Sequence, residues 1–354
     1  MTTRRGFLKQ TAFGAAGLAA AGRLGKAGTA LDGWMKSANG AGPGATLGAA
    51  EKSKVVLVRS KAVVDAAGKV QNDLLGTMLD KGITTFAGTS SATDAWKKYI
   101  SPEDVVGLKI NTLGCTDIKG MDYTMHFGSI IGAVAGGLRK MGVADKNIVV
   151  WDRSEEEMIE AGLTMQSDPG SMRFIANKVS RRGEGNYAGM VYQIGNLSSR
   201  ISRILDEVTT SMINICVPKT HGGAVFTNAL KNHYGTIDNP GRMHGSNCTN
   251  PGIPEANAIP VIRKKQKLVV SDALLMVVEG GPRWDRRFIR PFGGILVGTD
   301  PVAVDAVALS LLDEMRKAEG MEPIAPRVPH IKLAGDLGLG KSDLADIDLV
   351  TINV

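Results

Sequence analysis

Cysteine is scarce in this chain: Cys115, Cys216 and Cys248 are the three in 354 residues, and no CxxC pair occurs. So low and odd a count excludes a disulfide framework. It also argues against an iron–sulfur cluster built wholly by this chain, because such clusters usually take four thiolates. Cys216 lies in an apolar run and reads as a small buried hydrophobe. Cys115 and Cys248 fall in glycine- or turn-rich stretches, open to pairing, to metal binding or to neither. Long apolar runs are missing as well. The Ala/Gly-rich run over residues 12–22 falls short of the roughly 20 residues a membrane helix needs, so no membrane span is expected in the mature chain.

A genuine basic excess is lacking too. The formal charge is +7, but residues 1–50 carry six Lys/Arg against the single acid Asp32, leaving +2 for the remainder. That removes the main support for a nucleic-acid partner. Three of those six sit in Thr3-Arg4-Arg5-Gly6-Phe7-Leu8-Lys9, a twin-arginine export motif ahead of the short apolar run. The pattern implies an address that is not part of the fold and a periplasmic or extracellular destination. Residues 1–50 are expected to be signal and linker, and 51–354 the folded domain.

Within that domain, β-branched apolar runs recur at 55–58, 105–111, 147–151, 191–194, 212–217, 268–271, 294–298 and 349–354. Helix-period segments fall at 74–85, 92–99, 127–141, 154–163, 197–210, 225–233 and 301–319. Ser91, Ser154 with Glu157 three residues on, and Asp300 before Pro301 are helix start signals. Alternation on this scale predicts an α/β fold, a mainly parallel sheet flanked by helices. A smaller subdomain is expected near residues 152–203.

Chemistry concentrates at 217–244. With its flanks this stretch holds three of the five histidines, His221, His233 and His244, and two of the three cysteines. A strand-like run ends at Pro218 and delivers Lys219 and His221, two residues apart and on one face if the chain stays extended. Gly222 and Gly223 follow, then a helical segment with Lys231 and Asn232. Glycine amides, a helix N-terminus and two lysines together favour an anionic ligand. The strand at 105–108 likewise ends in Lys109 and Asn111. Ligands in open α/β sheets bind outside the carboxyl ends of strands, so both pairs are expected to border one cleft.

In that cleft Lys219 and Lys231 would hold the anion, His221 would carry a proton, and Asn111 and Asn232 would orient. His221, His233 and His244 could alternatively bind a metal ion, with Cys248 or Asp272 as a further ligand, although their spacing matches no compact zinc motif. Asp272 closes a strand and points into the cleft or caps a turn. Asp305, amid apolar neighbours, requires a partner, and one of the lysines is expected to supply it. Arg283, Arg286, Arg287 and Arg290 cluster around Trp284, a loop suited to carboxylate or phosphate recognition or to partner contact. Residues 335–342 satisfy GxxxxGK[ST], but only twelve residues follow, too few for the required helix and acidic strand. A helix end closed by glycine is expected there.

The chain resembles an uncharacterised bacterial and archaeal family of unknown function. The resemblance is carried by Lys109 and Asn111, by Val217-Pro218-Lys219-Thr220-His221 through Leu230-Lys231-Asn232 and Gly235, by Ser271-Asp272-Ala273 with Gly280-Gly281-Pro282, by Gly298-Thr299-Asp300-Pro301-Val302-Ala303-Val304-Asp305, and by Gly338-Leu339-Gly340. Relatives are sometimes fused to ferredoxin-type modules and sometimes carry twin-arginine signals. The resemblance implies a redox association, although the ferredoxin cysteine runs are missing here. Together these features suggest an exported enzyme or cofactor-binding protein of redox or anaerobic metabolism that acts on a small anionic molecule. The alternative is a non-catalytic binding or assembly partner of a periplasmic redox complex, touching it through the Trp284 loop.

Overall fold

The computed structural model describes residues 51–115, 125–245 and 247–354; the expected signal and linker at 1–50 lie outside them. A ten-stranded sheet organises residues 51–354. Its strands are β1 (Ser53–Arg59), β2 (Val106–Lys109), β3 (Ile148–Ser154), β4 (Arg173–Lys178), β7 (Ser211–Cys216), β8 (Lys219–His221), β9 (Val225–Thr227), β10 (Gln266–Val277), β11 (Ile289–Gly298) and β12 (Ile347–Asn353). A separate hairpin pairs β5 (Tyr187–Ile194) with β6 (Leu197–Ser202).

The main path runs β12-β1-β11-β10-β7-β2-β3-β4. Every pairing along it is parallel except the two made by β11, so the fold is a mostly parallel α/β sheet. β2 and β7 are neighbours whose chains leave in opposite directions, one toward β3 and the other toward β10. A crevice opens at such a switch point beyond the strand ends.

Side chains alternate between two apolar layers. On one face Val56, Leu108, Val150, Ile213 and Val270 meet α1 (Asn72–Ala87), α2 (Ala92–Lys97) and α3 (Met125–Met141). On the other, Leu57, Trp151, Met212 and Val269 meet α5 (Ala229–Asn232), α7 (Ile253–Ala258), α9 (Pro301–Ala318) and α10 (Pro329–Asp336), with α4 (Glu155–Glu160), α6 (Pro240–Met243) and α8 (Pro260–Lys265) completing the helices.

The periodicity explains the helices. α1 buries Leu75, Met78, Leu79 and Ile83 in one stripe and stops at Gly88, at φ 65°. Each such side chain supplies roughly 1.5–3 kcal/mol of transfer free energy. α3 lies close over Trp96 because Gly137 carries no side chain; a Cβ there would sit 2.5 Å from the indole nitrogen. Ser91, Ser154 and Asp300 cap α2, α4 and α9 through their side-chain oxygens.

Two expected segments differ. Residues 197–210 have helical spacing, yet Leu197–Ser202 pairs with Tyr187–Ile194 across the two-residue turn Gly195-Asn196, where Gly195 takes φ 57°. Hairpin turn chemistry overrides the periodicity. Residues 225–233 split into β9 and α5 rather than forming one helix. The subdomain expected near 152–203 reduces to this hairpin, because β3 and β4 belong to the main sheet. No helix among the described residues is long and apolar enough to cross a membrane.

Candidate functional site

Outside the ends of β2 and β7 lies a small cleft, partly open to solvent, whose lining includes Asn111, His221, Thr227, Lys231, Tyr234 and His244. Lys109 forms its floor and is fully buried. Its ammonium donates to Asp152 Oδ1 (2.7 Å), Ile110 O (2.6 Å) and Asn232 Oδ1 (3.0 Å). All three donors are used, so Lys109, expected to border the cleft, is a strut with no donor left for a ligand. Asp152 also accepts from the Thr112 amide (2.8 Å) and hydroxyl (2.7 Å). Burial alone would raise its pKa, but Lys109 and Thr112 hold it below the usual carboxylate range. Gly235 leaves the room: a Cβ there would lie 2.7 Å from Lys109 Nζ.

Lys219 is also fully buried, donating to Asn111 Oδ1 (3.0 Å) and Leu113 O (2.7 Å). Burial pushes its pKa down to about 8. Asn111 and Leu113 line the cleft, and Lys219 stands one layer behind them. Asn232 is equally engaged, its amide donating to Asn214 Oδ1 (2.7 Å) and Lys109 O (3.3 Å). It orients protein groups rather than a ligand.

The backbone donors expected to attract an anion are occupied. Gly222 N donates to Gly281 O (3.0 Å), and Gly223 N and Ala224 N donate to His221 Nδ1 (2.9 and 3.0 Å). The first amides of α5, Ala229 N and Leu230 N, donate to Asp305 Oδ1 (2.7 Å) and Oδ2 (3.1 Å). Asp305 therefore caps the helix carrying Lys231 instead of pairing with a lysine. Burial raises its pKa to about 8 despite the amides.

Lys231 remains available. It is 4% exposed, and its Nζ lies 3.1 Å from His244 Nε2 and 3.8 Å from the Tyr234 ring centroid. His244 Nδ1 lies 2.6 Å from Pro240 O, and a carbonyl can only accept, so Nδ1 bears the proton and Nε2 accepts from Lys231. Among the described residues no carboxylate pairs with Lys231. Burial lowers its pKa to about 7 and that of His244 to about 4.

His221 stacks on His244, ring centroids 5.1 Å apart. Because its Nδ1 accepts two amides, its proton sits on Nε2, and burial followed by Lys231 keeps the ring neutral, its pKa near 2. The turn that fixes it includes Val225 at φ 64°, a strained conformation for a β-branched residue.

The other expected residues lie elsewhere. Asp272 is buried on the opposite sheet face, 3.3 Å from His126 Nε2. His233 contacts Gln266 (2.9 Å) and Thr236 (3.2 Å) with its two nitrogens, so the expected triad of His221, His233 and His244 does not converge. Among the described residues no group of three or more His, Cys, Asp or Glu is arranged to hold a metal ion. All three cysteines are buried and unpaired. Arg283 is exposed and outside the cleft lining, Arg287 pairs with Asp285, Arg290 pairs with Glu319, and Trp284 is fully buried. Trp284 itself is thus not available to a partner.

At residues 335–342, α10 ends at Asp336 and Gly338 takes φ 71°. The following turn folds over Asp300, which accepts the Lys341 amide at 2.8 Å.

Sequence reasoning missed three residues. Asp152 lies two residues before the end of β3, the strand beside Lys109, and its position directly after an apolar run was the available signal. Thr227 lines the cleft with a buried hydroxyl that has no partner among the described residues. His330 is fully buried on α10, where burial lowers its pKa to about 3 and keeps the ring neutral; no sequence signal marked it.

Fold and site define a mostly parallel α/β protein with a polar cleft at its topological switch point. The chain belongs to the family described as domain of unknown function DUF362, matched over residues 106–310. No curated protein matches it. Among solved structures, a crystal structure of a Thermotoga maritima protein is similar at 12% identity and a TM-score of 0.37. The alignment covers 74% of this chain and 59% of that one.

Proposed function

We propose that this chain is an exported enzyme or cofactor-binding protein that takes a small anionic molecule into the cleft beyond β2 and β7. Lys231 carries the proposal. In the cleft Lys109 is balanced by Asp152 and Arg153 by Glu157, whereas Lys231 has no carboxylate partner among the described residues. A buried charge without a partner is costly, and one bound anion supplies the balance. The His221 Nε2–H and the Thr227 hydroxyl are further donors for it, and the Lys231–His244 contact gives a path for a proton.

Export rests on the twin-arginine motif, and the link to redox metabolism rests on the resemblance to proteins fused with ferredoxin-type modules. Calorimetric titration with acetate, formate and lactate tests the binding. Wild type should bind at least one of them, and Lys231→Met should lose that binding. Equal affinity in the two proteins would refute the assignment.

A further inference from the structure

Anion binding needs a positive charge at Lys231, but it does not need the imidazole beside it. His244 offers Lys231 an acceptor nitrogen because its other nitrogen is committed to Pro240 O. An amine flanked by a neutral base, enclosed in a small cleft and paired with no carboxylate among the described residues, is the arrangement of a nucleophilic lysine. Thr227 Oγ1, 2% exposed at residue level and without a partner among the described residues, adds a hydroxyl on the cleft wall.

We propose that Lys231 condenses with the carbonyl of a small 2-oxo acid to form an imine, with His244 as proton carrier. This rests on the anion-binding reading of the same cleft. The amine lone pair attacks the carbonyl carbon and the C=O π bond opens to a carbinolamine. Starting from the Lys231 ammonium, His244 Nε2 takes two protons from nitrogen in turn and passes each to the substrate oxygen, the first forming the carbinolamine hydroxyl and the second letting it depart. Water leaves as C=N forms, and nothing is oxidised or reduced. The protonated imine keeps one positive charge next to the substrate carboxylate, so the charge balance that favours an anion persists through the step. His221 Nε2–H and Thr227 Oγ1 are the donors placed to hold the carboxylate. Burial of Lys231, which lowers its pKa to about 7, supplies free amine near neutrality.

The test is reductive trapping of the full chain with pyruvate and cyanoborohydride, followed by peptide mass mapping. Lys231 should gain a carboxyethyl group faster than exposed Lys332, on the order of 10²-fold, the scale of general acid–base assistance. Acetate should slow it, and His244→Gln should slow it further. If Lys231 reacts no faster than Lys332 while acetate still binds by calorimetry, the imine is refuted and the anion site stands. If neither acid binds, both fail. An unchanged rate in His244→Gln removes His244 from the step.

Discussion

The Lys231 amine nitrogen lies 3.1 Å from His244 Nε2, and the histidine is locked as an acceptor by its bond to Pro240 O. This pair separates the cleft from the buried lysines behind it. Lys109 and Lys219 have filled their surroundings with protein oxygens, whereas Lys231 faces a neutral base, an aromatic ring and open space.

Lys231→Met should raise stability while ending anion binding. Burial puts the folded pKa at about 7, below its unfolded value. Between those values the unfolded chain binds more protons, so stability rises with pH across that window. The cost of the buried charge is fully present below the folded value and fades toward the unfolded one. Urea unfolding at about pH 6 should find the variant more stable by roughly 1–3 kcal/mol. The gap should close at alkaline pH; a gap that widens would contradict this account.

Asp152→Asn should be among the more damaging cleft substitutions, because it leaves Lys109 charged and buried without a counter-ion. A loss of about 3–5 kcal/mol is expected. The wild-type pair has its own pH signature. The Asp152 pKa is lowered on folding, so its contribution is present above the unfolded carboxylate value and lost as pH falls through the folded one. The variant should lack that acid-side loss, read from denaturant midpoints.

Asp305→Ala frees the Ala229 and Leu230 amides and should cost about 1–2 kcal/mol, the scale of a lost helix cap. It should also weaken anion binding, because the capped helix sets the position of Lys231. Asp305→Asn keeps one acceptor and should recover part of both. Full stability together with full affinity in the alanine variant would show that the cap positions nothing.

His221→Ala removes the acceptor for two buried amides and should destabilise by about 1–3 kcal/mol, confounding any loss of function. His221→Asn retains a short acceptor for one amide but no ring Nε2–H. If the cleft uses that donor, His221→Asn should unfold near the wild-type denaturant midpoint and still bind anion more weakly. Unchanged affinity would exclude it.

Much of this architecture was legible because strands buried on both faces read as nearly continuous apolar runs, as in residues 212–216 with Asn214 the one polar residue, and because caps such as Ser154 and Asp300 announce themselves. The site was legible as a place: Lys109, Asn111, Lys219, His221 and Lys231 do gather at neighbouring strand ends. Their roles were not, since role depends on which donors are already spent. Lys109 and Lys231 look alike in sequence, yet one has three oxygen partners and the other has one nitrogen. Asp272 illustrates the period-two rule: strand parity sends it to the layer of His126 and Trp284, on the sheet face opposite Lys109. Asp305 shows that a buried acid can be satisfied by backbone amides 75 and 76 residues distant, a pairing that local pattern does not encode.

The most direct test is proton uptake on anion binding, measured by titration calorimetry in buffers of different ionisation enthalpy. At about pH 8 most of Lys231 is neutral, and an anion that pairs with it should draw up to about one proton per site. His244 and His221 are already neutral there, while Lys219 titrates nearby, so the uptake must vanish in Lys231→Met to belong to Lys231. Uptake that persists in the variant, or anion binding with no proton taken up by wild type, would contradict the assignment of Lys231 as the anion-binding cation.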